Sequence, residues 1–291
     1  SNRIMKKNIA YLIYKILVYS NNIFKFITKR SFLIFFKDFI ENDSYTNINV
    51  QNIQTKFFIP NELTEWRVKT FFTKEPETIE WIDNFEKKEN LIFWDIGANI
   101  GLYSIYSSLK NKNSKTICFE PSTSNLRILS RNISINNLEK NIKILPIPLT
   151  NKENCFLTMN ESDFLEGGSL NSFGEKYDFQ GKDFKINMKY QILGTTINNL
   201  IDNKILEIPD YIKIDVDGIE HLILEGGNKY LKNNKLKSLS VEINENFKDQ
   251  YEKVLKIMRE SNFKILHKKH NEKMLTIDSK YSKVFNYVFI R

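Results

Sequence analysis

Hydrophobic positions change their period along this chain, and the change divides it. From Met5 to about Ile40 apolar and aromatic residues recur at helical spacing, which predicts two helices broken near Ser20, Asn21 and Asn22. Residues 41–55 are polar and rich in Asn and read as a linker, and Lys56 to Pro60 reads as a short strand. Glu75-Pro76-Glu77-Thr78 then precedes Ile79, Trp81 and Ile82, so acids and a proline stand in what reads as a first helical turn. Beyond it, short β-rich runs alternate with helical patterns. That rhythm predicts a doubly wound, mostly parallel sheet with helices on both faces.

The expected strands are Leu91–Trp94, Thr116–Phe119, Ile142–Ile147, Tyr211–Ile214 and Leu236–Ile243, followed by Phe263–Leu266 and Val284–Ile290 as an antiparallel terminal hairpin. Pro146 cannot donate to a ladder, so the third strand is expected at an edge. Helices are predicted through Leu102, Ile105, Tyr106 and Leu109, through Leu126, Leu129 and Ile133, from Ile219, and through Tyr251, Val254, Leu255 and Met258. Residues 149–208 break the pattern with two strands, Cys155–Met159 and Lys185–Leu193, around Glu166-Gly167-Gly168-Ser169. An insertion of this length beside a ligand crevice reads as a substrate lid. The organisation is thus a helical extension over 1–45, a linker and pre-core segment over 46–74, and an α/β domain over 75–291.

Charge sharpens the first segment. Of a formal +8, residues 1–40 hold eight Lys or Arg against one acid, Asp38. Positive charge is therefore not spread around the α/β domain, as a nucleic-acid groove would require, and no nucleic-acid partner is expected. No apolar run reaches the length of a spanning helix, and no small-residue cleavage site follows, so a cytoplasmic protein is expected. Two readings of residues 1–40 stand: an interfacial helix at the inner face of an anionic membrane, or a helical cap or homo-oligomer element. Two cysteines, Cys118 and Cys155, exclude a disulfide framework and a cysteine zinc cluster, and three histidines show no ligand spacing.

The candidate chemistry begins at Asp95-Ile96-Gly97-Ala98-Asn99-Ile100-Gly101. A loop from a parallel strand into a helix aims backbone N–H groups and a positive helix end at its ligand, and Gly97 and Gly101 let the backbone approach. Glu120, ending the second strand before Pro121, is placed to bind both hydroxyls of a ribose, so the ligand contains adenosine. A dinucleotide fingerprint would need glycine at Asn99 and Leu102, which disfavours an NAD oxidoreductase. S-adenosylmethionine needs less room, and Asp95 would face its aminocarboxypropyl arm.

FWDIGANIGLYS (Phe93 to Ser104), ICFEP (Ile117 to Pro121), YIKIDVDGIEHLILEGG (Tyr211 to Gly227) and SVEIN (Ser240 to Asn244) resemble the FkbM-type methyltransferase family, in the right order over roughly Glu75 to Asn244. The resemblance implies a class I methyltransferase-like seven-stranded sheet and O-methylation of sugars, polyketides or other secondary metabolites, a surface-polysaccharide sugar among them.

Methyl transfer to a hydroxyl needs positioning and removal of a proton, by a side-chain base or by a metal. Asp215, Asp217 and Glu220 after the fourth strand and Glu242 and Asn244 on the fifth converge on one crevice. Asp217, Glu242 and His221 are the catalytic candidates, His221 because a helix N-terminus favours the neutral imidazole. Asp95, Gly97, Asn99, Gly101, Glu120, Pro121 and Asp215 are the cofactor candidates. Asp215 and Asp217 could hold Mg²⁺ through oxygen ligands, or Asp215 orients the cofactor while Asp217 caps the next helix. No D-P-P-Y-like sequence follows the fourth strand, which argues against methylation of DNA bases. The main reading is an O-methyltransferase acting on a carbohydrate or related hydroxyl. The second is a non-catalytic cofactor-binding adaptor at a membrane or partner.

Overall fold

The computed structural model describes residues 2–270 and 279–291, and the chain forms two compact units, Ser1–Tyr45 and Thr46–Arg291. In the first, α1 (Asn2–Thr28) runs unbroken through Ser20-Asn21-Asn22, and the reversal falls instead at Lys29, whose φ is +60°, before α2 (Leu33–Asp43). The reason is the use made of Asn21. Its buried Oδ1 accepts from Ser31 Oγ and from the Phe32 N–H, each at 2.9 Å, so it fastens the turn rather than ending the helix.

In the second unit the Asn-rich stretch is a hairpin, not a linker. Strands β1 (Tyr45–Val50) and β2 (Ile53–Phe58) pair across Gln51 and Asn52, both with positive φ, as a two-residue turn demands. The pre-core segment continues as α3 (Glu62–Lys69), α4 (Phe71–Lys74) and α5 (Pro76–Asp83). Asn61 caps α3 through its side chain, a start signal missed because the helix is short and weakly amphipathic.

The α/β core follows as β3 (Ile92–Ile96), α6 (Leu102–Lys110), β4 (Lys115–Phe119), α7 (Thr123–Ile135) and β5 (Ile142–Leu145). Ser122 caps α7, and β5 lies at the sheet edge and stops before Pro146. The insertion contributes β6 (Cys155–Glu161), β7 (Asn171–Phe173) and β8 (Met188–Gly194) as a separate antiparallel sheet ordered β7-β6-β8. Its last part is not lid. There α8 (Ile197–Asp202) buries Ile197 and Leu200 with Trp94, Ile212 and Leu239, because the crossover between parallel strands must cover the sheet face.

Then come β9 (Tyr211–Ile214), α9 (Glu220–Glu225), β10 (Ser238–Asn244), α10 (Lys248–Glu260), β11 (Lys264–Lys269) and β12 (Val284–Ile290). The seven strands order as β11-β12-β10-β9-β3-β4-β5, parallel from β10 to β5, with β12 antiparallel to β10 and β11 antiparallel to β12. Alternation sets the two cores. Ile92, Trp94 and Ile96 of β3 join the α8 side, while Phe93 packs with Trp81, Phe85 and Tyr211 on the other. Strand order reverses between β3 and β9, so their carboxyl ends open the crevice where doubly wound sheets take ligands.

Candidate functional site

Two adjoining cavities occupy that crevice. Gly97, Asn99, Asp215 and Asp217 border both. The narrower, about 60 Å³, lies against Glu120, Pro121, Ile147, Phe173 and Val216; the wider, about 380 Å³, opens toward Glu75, Glu77, Tyr103, Glu242 and Phe285. A chain of positive φ at Gly97, Asn99 and Gly101 shapes the loop between them. At Gly97 only glycine fits, because a Cβ would stand 1.9 Å from the Asp215 carbonyl oxygen.

The loop does not present a row of free N–H groups. Those of Gly97 and Ala98 donate to the Phe119 carbonyl at 2.9 and 3.1 Å, that of Asn99 to Glu120 Oε2 at 2.7 Å, and that of Gly101 to Ala98. Glu120 is held from both sides, its Oε1 accepting from the Ser122 N–H at 2.9 Å. Burial pushes its carboxyl up to about 7 in spite of these bonds. Asp95 and Gly101 border neither cavity. Asp95 is fully buried, accepts from Ser104 Oγ at 2.6 Å and leaves Oδ1 without a partner among the described residues; Gly101 lies against Leu129 of α7. Both therefore support the loop from beneath.

Over the narrow cavity the insertion closes. The Gly168 carbonyl accepts from Asn99 Nδ2 at 2.9 Å and Asn125 Nδ2 at 3.2 Å, and Asn125 Oδ1 accepts from the Gly167 N–H. Arg67 Nε donates to the Gly167 carbonyl at 2.6 Å, and the Leu170 N–H donates to Asp217 Oδ2 at 2.9 Å. Asp217, at φ +61°, is thereby part of the strap. Burial, then the charge of Asp215, raises its carboxyl to about 6.

The wide cavity is bounded by charged side chains from distant segments. Lys213, buried inside β9, donates to Asp215 at 2.9 Å and lies 4.9 Å from the Tyr103 ring centroid. Burial works against its charge, yet Asp215, Asp95 and Glu75 around it hold its pKa above the ordinary lysine range. Glu75 accepts from Tyr103 Oη at 2.7 Å and Lys74 at 2.6 Å; against the upward push of burial, Lys74 and Lys213 bring it down to about 2. Glu77 accepts from Asn286 Nδ2 at 2.8 Å, and burial raises its carboxyl. Asn286 pairs in register with Glu242 across β10 and β12. Glu242 itself accepts no hydrogen bond among the described residues and is half-buried. Burial, then the neighbouring Asp215, Glu75 and Asp217 carboxylates, raise its pKa well above the usual range.

The model of the methyltransferase FkbM domain matches residues 95–265, more than half of the chain. The chain belongs to this family. Methyltransferase sdnD of Sordaria araneosa is 27% identical over 175 residues, covering 54% of this chain and 68% of that protein. Among solved structures, methyltransferase FkbM from Methylobacillus flagellatus KT aligns with TM-score 0.47 and 16% identity, over 72% of this chain and 44% of the other. A putative SAM-dependent methyltransferase from Streptococcus mutans aligns with TM-score 0.48 and 9% identity, over 85% of this chain and 56% of the other. This chain thus spans under two thirds of either solved structure. The residues that this model matches form a methyltransferase domain.

In this methyltransferase His221 lies apart from both cavities. It is buried edge-on to Phe247 with Nε2 3.9 Å from Asp249, and burial, then Lys253, lowers its pKa. The side chain that turns back onto the Asp215–Gly218 bend is Glu220, which accepts from the Val216 and Gly218 N–H groups and from Gln250. A divalent cation does not fit Asp215 and Asp217. The Lys213 ammonium engages the first, the Leu170 N–H engages the second, and among the described residues no three His, Cys, Asp or Glu side chains group as metal ligands. Residues that sequence reasoning missed are Lys213, Tyr103, Glu75, Glu77 and Asn286. For Lys213 a signal existed, a lysine within the apolar run Tyr211–Ile214.

Proposed function

We propose that this methyltransferase transfers the methyl group to a hydroxyl of a carbohydrate or related metabolite, with Glu242 as the base. The single observation behind this reading is the Glu242 carboxylate. It borders the wide cavity and accepts no hydrogen bond among the described residues, and burial among other acids raises its pKa well above the usual carboxylate range, as suits a general base. Trp66, Phe71, Tyr281 and Phe285 along the same cavity supply flat apolar faces of the kind on which sugar rings rest.

On the donor side, Glu120 would take the two ribose hydroxyls, and Pro121, Ile147 and Val216 would flank the base. Asp215, which borders both cavities, would face the aminocarboxypropyl arm, with Asp95 bracing the loop from beneath. S-adenosylmethionine supplies an electrophilic methyl and a good leaving group. The chain's own part is then to align the acceptor oxygen, exclude water under the Gly167–Leu170 strap, and receive one proton at Glu242.

The test is transfer of labelled methyl from S-adenosylmethionine to a panel of free and acylated sugars and amino sugars, with the labelled atom located by mass spectrometry. Label on oxygen that survives exhaustive EDTA is the expected result. Label confined to nitrogen removes the hydroxyl reading, and loss of activity on chelation restores a metal in place of the side-chain base. The non-catalytic adaptor reading has no observation in its favour.

A further inference from the structure

We propose that the N-terminal unit docks on an anionic membrane surface, with α1 lying in the plane of the lipid–water interface. The inference concerns where the enzyme resides and is independent of the acceptor. Ile9, Leu12, Ile16, Tyr19 and Ile23 follow one another at spacings of three and four, so they form one stripe along a helix of 27 residues, about 40 Å long. Each is between 48% and 70% exposed. A stripe of that length left bare marks an interaction surface.

Within its own unit, α1 meets α2 on the other side. Leu17 and Val18 are half-buried, Asn21 is bonded to Ser31 and Phe32, and Phe24 packs edge-on to Phe32 at 5.4 Å. At about 100° per residue, these positions lie well away from the stripe. Packing of α1 on α2 therefore leaves the stripe uncovered within this unit.

Charge decides the occupant. Helix α1 carries Arg3, Lys6, Lys7, Lys15 and Lys25 and no acid at all. A second copy seated on the stripe would bring Lys6 and Lys15 of both chains to one seam, whereas an anionic bilayer is complementary to them. Lys6 and Lys15 flank the stripe on its two sides, where aliphatic stems can run along the apolar surface and deliver the ammonium groups to headgroups. No described helix is long and apolar enough to cross a membrane, so the geometry that remains is adsorption.

The experiment is co-sedimentation of the full chain with vesicles of phosphatidylcholine alone or mixed with phosphatidylserine, at low salt and at about 0.5 M salt, where charge screening acts within a few Å. Expected is pelleting with the phosphatidylserine vesicles at low salt and release at high salt. The triple variant Lys6→Glu, Lys7→Glu, Lys15→Glu should bind on the order of 100-fold more weakly. Ile9→Gln, Ile16→Gln, Ile23→Gln should also lose binding with its charge unchanged. Both should keep their affinity for S-adenosylhomocysteine, which checks that the α/β unit is folded. Equal pelleting on neutral vesicles at both salts overturns the electrostatic part. Absence of pelleting, with a dimer by light scattering that the glutamine variant converts to monomer, overturns the proposal and makes the stripe a subunit seam.

Discussion

The two halves of the crevice are built in opposite ways. Around the narrow cavity the Glu120 carboxylate is clamped by backbone N–H groups from its own strand end and from the neighbouring loop, all within one βαβ unit. Around the wide cavity the side chains come from α4, α5, α6, β9, β10 and β12, and they constrain one another by charge. The first half is braced by backbone hydrogen bonds at the carboxyl ends of two parallel strands. The second is assembled from distant segments, and among the described residues it leaves one carboxylate without a donor. Fixed geometry suits a constant cofactor; an unsatisfied acid suits chemistry.

The comparison breaks most directly at Glu242. If it is the base, Glu242→Gln should lower kcat by roughly 10²- to 10⁴-fold while calorimetry shows unchanged S-adenosylhomocysteine affinity. The base works ionised and its pKa is raised, so wild-type activity should fall as pH drops through a limb lying above the ordinary carboxylate range. The variant should lack that limb. A residual rate near wild type would take Glu242 out of the reaction.

Next in size is the cofactor half. Glu120→Ala removes a bidentate, charge-assisted contact worth on the order of 2–3 kcal/mol, so S-adenosylhomocysteine should bind about 30- to 150-fold more weakly. An unaltered dissociation constant would show that Glu120 only braces the loop. The strap comes third: Asn125→Ala deletes both of its bonds to Gly167 and Gly168, and cofactor release in stopped flow should quicken roughly 5- to 10-fold, as expected for about 1–1.5 kcal/mol. The same rate as wild type would mean the insertion does not gate the narrow cavity.

Smallest is Asp217→Asn. The amide oxygen can still accept from the Leu170 N–H, but one negative neighbour of Glu242 is gone, so the acid limb should move to lower pH by up to roughly one unit with kcat on the plateau little changed. A deep loss of plateau rate instead would give Asp217 a direct part in catalysis.

Legibility followed the same division. Each parallel strand of the core, the edge position of β5 and the pairing of β11 with β12 were readable, because period and turn chemistry are local. The hairpin over Tyr45–Phe58 was not, since its polar alternation looks like a linker until Asn132 and Asn136 of α7 bond its backbone. Helix α8 was hidden inside the insertion for a similar reason: only burial against Trp94 and Leu239 separates it from the lid.

By itself the sequence determined the doubly wound architecture, the family and the acid at the end of β4, because these depend on residues within one strand–loop–helix unit. Tertiary structure alone decided which acids border the wide cavity. It moved His221 into packing against α10, placed Asp95 and Gly101 beneath the loop, turned Asp215 to Lys213 and Asp217 to the lid, and brought Glu75, Glu77 and Asn286 beside Glu242. The physical reason is range. A turn or a strand is fixed by neighbours along the chain, whereas the charge state of Glu242 depends on burial and on carboxylates up to 167 positions away in sequence, such as Glu75.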